Sequence, residues 1–490
     1  MIRFLPSIIS GILMGISQQP WGFGFLAWFS LVPLLFSIEN EKTIKGITQQ
    51  SFLWSFIYHL IFFFWISDNI GLDSQLLRYL IMLLVVFVLT VNIVMIYSIY
   101  YYIKKYLKFD YIIFSLPIII VAIEYIRSLG FYGSVWNSLA YTQIDYLTLI
   151  QNIEYTGLYG LTFWIVLINV LIYKLITNFN QRYIVALVIL FLFPWATGLI
   201  INKNYNNTEK IKVKVIQPNI SLNEKRQSLK KSLNTMISLS NNTINDSIDL
   251  IIWPESSISH SFVKDGFYNK ELSFNMNNFL NNSNFSLVAG SDLRLAEKKY
   301  NSSILFKSDS VIAMYHKKRL VPNVERTPEI FNKIGLNIGL MNFDIGEELN
   351  MFSVNNINFA SMICIESVFD SPTREFVKKG AQFITYIVND GWYPREPQLS
   401  QHANRCIYRA IENRRSIIRC ANTGISIIVD PYGNITDRIE LNKEGVIEAE
   451  VIILDEQTFY TKYGNLFSIF NLVIMILMLV VAFFRNLNRK

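Results

Sequence analysis

Cysteine is scarce in this 490-residue chain, with three, and histidine hardly less so, with four. So few thiols exclude a scaffold framed by disulfides, and Cys406 and Cys420 are expected as buried free thiols. The histidines, His59, His260, His316 and His402, show no metal-ligand spacing. A Gly-x-Ser-x-Gly elbow, a phosphate-cradling loop and a dinucleotide fingerprint are missing as well. No cofactor and no metal is therefore expected. Charged residues make up only 17% of the chain, and the formal net charge of +7 is largely explained by basic segments between apolar runs. That pattern argues against nucleic-acid binding.

What is plentiful is apolar surface: 52% of residues are hydrophobic and 14% aromatic, too much for a wholly soluble protein. The excess fills residues 1–202, fades over 203–460 and returns in 461–490. This divides the chain into a transmembrane helical domain of about seven spans, a soluble domain, and a C-terminal transmembrane helix with a basic tail. The expected spans are 5–17, 21–38, 52–68, 79–102, 111–127, 158–177 and 183–201, then 464–484, judged against a hydrocarbon core roughly 30 Å thick. Arg3 before the first run resembles the start of a signal peptide, but no small-residue cleavage site follows, so the run is read as retained. Arg3, Lys42, Lys45, Lys104, Lys105, Lys108, Lys174, Arg182, Arg485, Arg489 and Lys490 fall on one side, against Arg78 and Arg127 on the other. Basic segments stay in the cytoplasm, which puts the soluble domain outside. Glu124 lies one turn from Arg127 and reads more readily as half of a structural pair than as a functional carboxylate.

The soluble part alternates strands with helices. Strands are expected at about 211–216, 249–253, 286–292, 301–308, 311–321, 357–364, 382–388, 416–419, 424–430 and 446–452, and helices at about 223–243, 371–379 and 398–414. An α/β layered domain with mixed sheets follows. Three reactive side chains stand at strand ends: Glu255 after Leu250-Ile251-Ile252-Trp253-Pro254, Lys317 after Val311 to His316, and Cys364 after Asn358 to Ile363. A lone strand cysteine is ordinarily a small buried hydrophobe. With a carboxylate to take its proton it becomes a nucleophile, and an ammonium beside it favours thiolate and, with a backbone N–H such as that of Ile365, stabilises an oxyanion. His402, the one histidine that could serve a Cys-His mechanism, is placed on a helix surface.

Trp253-Pro254-Glu255, Tyr315 to Glu325, Ile363-Cys364-Ile365-Glu366 and Asn389-Asp390-Gly391-Trp392 occur in that order and resemble the signatures of the nitrilase superfamily. With membrane spans on both sides, the chain resembles in particular the bacterial apolipoprotein N-acyltransferase family, over essentially its whole length. The resemblance implies an αββα sandwich and a catalytic triad of Glu255, Lys317 and Cys364, with Glu325 and Glu366 in support. The Tyr-x-Lys-x-x-Leu-Val-Pro spacing selects Lys317 over Lys318. Phe331, Trp392 and Tyr393 are acyl-chain or lid contacts on this reading. It also implies a phospholipid acyl donor, a thioester on Cys364, a lipidated apolipoprotein acceptor, a monomer, and the bacterial inner membrane with the catalytic domain on the periplasmic side. Two departures stand out: Asn323-Val324 replaces the usual Phe-Gly, and Ile365 stands where an aromatic is common. A membrane-tethered amidase or nitrilase is the alternative enzyme. A transporter or sensor is disfavoured by the scarcity of charge within the spans.

Overall fold

The computed structural model describes residues 2–201, 208–221, 224, 228–241, 248–258, 270–281, 284–308, 310–327, 329, 333 and 341–488. The chain forms two compact units, one of Met1–Lys203, Arg395–Pro397 and Tyr463–Lys490, the other of Asn204–Pro394 and Gln398–Lys462.

The first unit is helical. Ile44–Asp68, Gln75–Leu107, Leu158–Thr177, Gln181–Ile201 and Leu466–Leu487 are long and apolar enough to cross a membrane. The spans expected at 5–17, 21–38 and 111–127 fall on shorter apolar helices. They are helices Leu5–Ser17, Val32–Asn40 and Leu116–Ser128, and the second follows a 3-10 turn at Gly24–Trp28. Each opens with a proline in its first turn, Pro6, Pro33 or Pro117. Proline fits there because its missing N–H has no helical partner, and its ring disfavours helix immediately upstream. A 13-residue helix rises only about 20 Å at 1.5 Å per residue.

Two buried polar side chains in this unit, Asn169 and Glu124, tie separate segments together. Asn169 ties Leu31 N–H and the Ala27 carbonyl, both at 2.8 Å. Glu124 accepts from the hydroxyls of Thr162 (2.9 Å) and Ser138 (3.0 Å), with Arg127 at 3.7 Å. Glu124 is thus one half of a closed ion pair.

The second unit packs two six-stranded sheets between layers of helix. The first sheet runs β12 (Gly445–Ile452), β1 (Lys210–Gln217), β2 (Leu250–Ile252), β3 (Ser286–Leu295), β4 (Lys298–Lys307), β5 (Ser310–His316). The second runs β11 (Ile435–Ile439), β10 (Ser426–Val429), β9 (Ser416–Ala421), β8 (Phe383–Val388), β7 (Ile357–Ile363), β6 (Phe352–Val354). Each has three parallel strands at its centre, β1-β2-β3 and β7-β8-β9, with antiparallel neighbours outside. Of these central strands β2, β8 and β9 are buried throughout and β1, β3 and β7 along most of their length, as strands covered on both faces must be.

Helices Leu229–Asn241 and Lys270–Asn281 cover the first sheet through Leu233, Met236, Met276 and Phe279 against Ile251, Trp253 and Leu287. Helix Gln398–Asn413 packs on β9 and β10, with Asp370–Lys378 beside it. Between the sheets, Ser303 donates to Ser361 at 2.7 Å, and the Cys420 thiol lies 3.3 Å from the Ile216 and Ile252 carbonyls. Cys406 and Cys420 are buried free thiols.

The nitrilase-like αββα expectation agrees with this architecture. Three local readings change. Strand 311–321 ends at His316, because the N–H groups of Lys318 and Arg319 turn onto the Glu366 carboxylate instead of a neighbouring strand. The expected helix 223–243 is seen as Leu229–Asn241, its proposed start at Asn223 lying outside the described residues. Short edge strands β6 and β11 were not expected, being only three and five residues long.

Candidate active site

Parallel strands collect functional groups at their C-terminal ends. Here β2 ends just before Glu255, β7 just before Cys364, and β8 just before Asn389 and Asp390. Glu255 can sit so close to the sheet because residue 290 is glycine. A Cβ there would lie 2.6 Å from the Glu255 Cα and from the Ser256 nitrogen.

Lys317, beyond the end of β5, reaches Glu325 at 2.9 Å and Glu255 at 3.4 Å. Asn301 on β4 joins the two carboxylates, donating from Nδ2 to Glu255 at 2.7 Å and to Glu325 at 3.0 Å. The second Glu255 oxygen accepts from the Asn389 N–H at 2.8 Å. Glu325 also accepts from the Val321 N–H at 2.8 Å. All four side chains are buried: Lys317 is 1% exposed, Asn301 3%, Glu325 6% and Glu255 7%.

The loop that carries Glu325 turns without a glycine. The left-handed position falls on Asn323, φ +63°, rather than on Val324. Asparagine tolerates that region where a β-branched residue does not.

Cys364 has φ +50° and opens a 3-10 turn, Cys364–Val368. A left-handed backbone in a non-glycine residue is strained, and such strain gathers at functional sites. Glu366 holds the turn in place. Its Oε1 accepts from the Tyr315 hydroxyl (2.7 Å), Lys318 N–H (2.9 Å) and Arg319 N–H (3.2 Å), and its Oε2 from Ile363 N–H (2.9 Å). One carboxylate thereby links the end of β7 to the segment after β5.

The charges act on one another. Burial, with the Glu325 charge, pushes the Glu255 carboxyl up against the lowering effect of Lys317. Burial disfavours the Lys317 ammonium, yet Glu325, Glu255 and Cys364 together hold its pKa above the usual range. Burial and the Glu255 charge push the Cys364 thiol well up, and Lys317 offsets only part of this. The sequence-based expectation that the ammonium favours thiolate therefore holds in sign but not in outcome. The balance at rest lies toward the protonated thiol. Passing that proton to Glu255 leaves the total charge of the cluster unchanged, so the transfer creates no net buried charge.

His402 corrects the sequence reading. It is 1% exposed, not on a helix surface. Its Nδ1 lies 2.8 Å from Asp390 Oδ1, and its Nε2 lies 3.3 Å from the Cys364 carbonyl oxygen and 3.2 Å from Ser367 Oγ. Burial would raise the Asp390 carboxyl, but the Arg419 guanidinium and His402 hold it below the usual range. Ligand atoms of Cys364, Asp390 and His402 lie within 4.8 Å of one another. Thiol, imidazole and carboxylate can hold a metal, but the Arg419 guanidinium bonded to Asp390 sets a fixed positive charge against one. Sequence spacing could not show this group, since its members come from three different elements. Asn301 gave no sequence signal beyond lying in β4.

Trp392 and Tyr393 are half-buried on the turn after Asp390, with the Tyr393 N–H donating to the Asp390 carbonyl at 3.1 Å. Phe331 and His260 lie outside the described residues.

Comparison with known proteins agrees with this picture. Residues 10–171 match the family model described as apolipoprotein N-acyltransferase N-terminal domain. Residues 212–456, half of the chain, match the carbon-nitrogen hydrolase model. A protein of Chlorobaculum tepidum named apolipoprotein N-acyltransferase is 29% identical, covering 94% of this chain and 93% of its own length. One of the same name from Thermotoga maritima is 28% identical over 99% and 95%. Among solved structures, yeast Nit3 is similar at 19% identity, covering 50% of this chain and 90% of that one with a TM-score of 0.35. An amidase from Nesterenkonia sp. AN1 is similar at 16%, covering 52% and 96% with a TM-score of 0.38. The chain is a membrane enzyme that belongs to the carbon-nitrogen hydrolase family, in its apolipoprotein N-acyltransferase branch.

Proposed function

We propose that the chain moves an acyl group from a membrane phospholipid to the N-terminal amine of a diacylglyceryl-cysteine lipoprotein, through a thioester on Cys364. The observation that carries this reading is the single buried ammonium of Lys317 shared by two carboxylates, beside a thiol held in a left-handed turn.

In the first half-reaction Glu255 takes the Cys364 proton and the thiolate attacks the ester carbonyl. Lys317 and the Ile365 N–H receive the developing oxyanion. Collapse expels the lysophospholipid alkoxide, which takes the proton from Glu255, and leaves the thioester. In the second, the lipoprotein amine attacks the thioester, Glu255 accepts a proton from it, and the Cys364 sulfur leaves and is reprotonated as the amide forms. Glu325 keeps Lys317 charged and Glu366 holds the turn. Trp392 and Tyr393 border the acyl path.

A membrane location supports such chemistry physically. At about 0.8 kcal/mol per CH2, drawing a long acyl chain into water costs on the order of 10 kcal/mol, which an enzyme anchored by apolar helices avoids. The distribution of lysine and arginine supports the inner membrane with the αββα unit on the periplasmic side. A small-amide hydrolase has no need of those helices. The test is to incubate membranes with phospholipid labelled in its acyl chain and trap the enzyme. Label that is released by hydroxylamine and absent from Cys364→Ala is expected. Hydroxylamine-resistant label, or label retained by Cys364→Ala, contradicts the thioester.

A further inference from the structure

The peptide that joins Cys364 to Ile365 carries both groups of interest: the Cys364 carbonyl, and the Ile365 N–H assigned above to the oxyanion. A trans peptide is planar, and its C=O and N–H point in opposite directions. Whatever grips the carbonyl therefore aims the N–H.

The carbonyl is gripped. Ser367 Oγ donates to it at 2.9 Å, and His402 Nε2 stands 3.3 Å from it. Behind the ring, Nδ1 meets the Asp390 carboxylate at 2.8 Å, and the other Asp390 oxygen is bonded to Arg419. Arg419 Nη2 also lies 3.3 Å from Nδ1. Gly424 closes this arrangement from the far side, since a Cβ there would come within 2.6 Å of Asp390 Oδ2. Asp390, His402 and Arg419 are all at most 4% exposed, and Ser367 is fully buried.

Nδ1 faces both the Asp390 carboxylate and the Arg419 guanidinium, whereas Nε2 faces a carbonyl and a hydroxyl whose own hydrogen already points to that carbonyl, so Nε2 meets acceptors only. Burial and the Arg419 charge hold the His402 imidazole below its usual range, against the raising effect of Asp390. In the neutral ring the tautomer decides, and a hydrogen on Nε2 sets His402 beside the Ser367 hydroxyl as a donor to the carbonyl.

We propose that Ser367 and His402, braced by Asp390 and Arg419, are positioning residues that fix the Cys364–Ile365 peptide so that the Ile365 N–H stands ready as an oxyanion donor. This rests on the acyl-transfer reading of the site. The Ile365 N–H lies in the first turn of Cys364–Val368, where a helical turn offers its N–H groups no acceptor of its own. A donor left free there points at whatever approaches the thiol. If the peptide rotates, the thiol remains but the donor is lost. Losing one oxyanion donor costs about 10²–10³ in rate, and loosening one should cost less, on the order of tenfold to a hundredfold.

Two reactions of the same thiol separate positioning from acid-base work. Acylation by an ester passes through an oxyanion, whereas alkylation by iodoacetamide does not. For the full-length membrane enzyme with His402→Ala or Ser367→Ala, acylation of Cys364 by p-nitrophenyl acetate is expected to fall about 10–100-fold, with iodoacetamide alkylation within about twofold of wild type. His402→Gln, which can still offer a donor near the position of Nε2, should recover much of the acylation. Parallel loss of both reactions, or unchanged acylation in both alanine variants, overturns the proposal. Phospholipid is tested in the same preparations. If the soluble ester acylates wild type and phospholipid does not, the lipid-donor reading fails while the clamp stands. If neither acylates Cys364, both fall.

Discussion

Two buried glutamates, one in each unit, meet a cation in opposite ways. Glu124 has Arg127 to itself and spends its oxygens on two hydroxyls and a backbone N–H, so its charge and hydrogen bonds close on themselves. Glu255 shares the one ammonium of Lys317 with Glu325 and lies beside a thiol whose balance at rest lies toward the protonated form. A balanced pair fixes structure. A cluster with one carboxylate more than it has cations accepts a proton readily, which is what a base beside a thiol must do.

Removing the cation breaks the contrast most severely. Lys317→Met leaves Glu255 and Glu325 buried together without an ammonium and removes an oxyanion donor. Thioester formation should fall at least about 10³-fold, and thermal unfolding should show a loss of about 3–5 kcal/mol, the usual cost of breaking a buried pair. A variant that still acylates at near wild-type rate would make the Lys317 cluster structural, like that of Glu124.

Moving the base without changing it is the next test. In Gly290→Ala the new methyl has nowhere to go except against the backbone at Glu255 and Ser256. Displacing a catalytic group by about 1 Å costs on the order of 10²-fold, so acylation should drop by that order while the αββα unit stays folded by circular dichroism. The smallest effect on chemistry belongs to the other carboxylate. Glu124→Gln strands Arg127 and should lower the thermal stability of the helical unit by about 1–3 kcal/mol, yet alter the acylation rate per folded molecule less than about threefold.

How far the sequence revealed these differences depended on whether the signal was local. Strand ends carrying Glu255, Lys317 and Cys364 were readable because each follows an apolar run, and the structure brings these three to one place. The length of β5 was misread because the pattern of Val311 to Val321 stays strand-like, while Glu366, half a hundred residues away in the chain, captures the N–H groups of Lys318 and Arg319. His402 was misplaced for the same kind of reason. Its burial is decided by Asp390 and Arg419, which arrive from other elements. In the helical unit hydropathy found the apolar runs, but it did not register that 21–38 and 111–127 begin with a 3-10 segment before an α-helix whose first turn carries Pro33 or Pro117.

The central claim is that Glu255 takes the proton of Cys364, and it is tested most directly by the rate of Cys364 alkylation by iodoacetamide as a function of pH. With Glu255 as base, wild type should react at neutral pH, with an acid limb displaced above the ordinary carboxylate range because burial and Glu325 raise that carboxyl. Glu255→Gln should lose this limb and react only at the high pH where the thiol ionises unaided. Superimposable profiles for the two proteins would contradict the account.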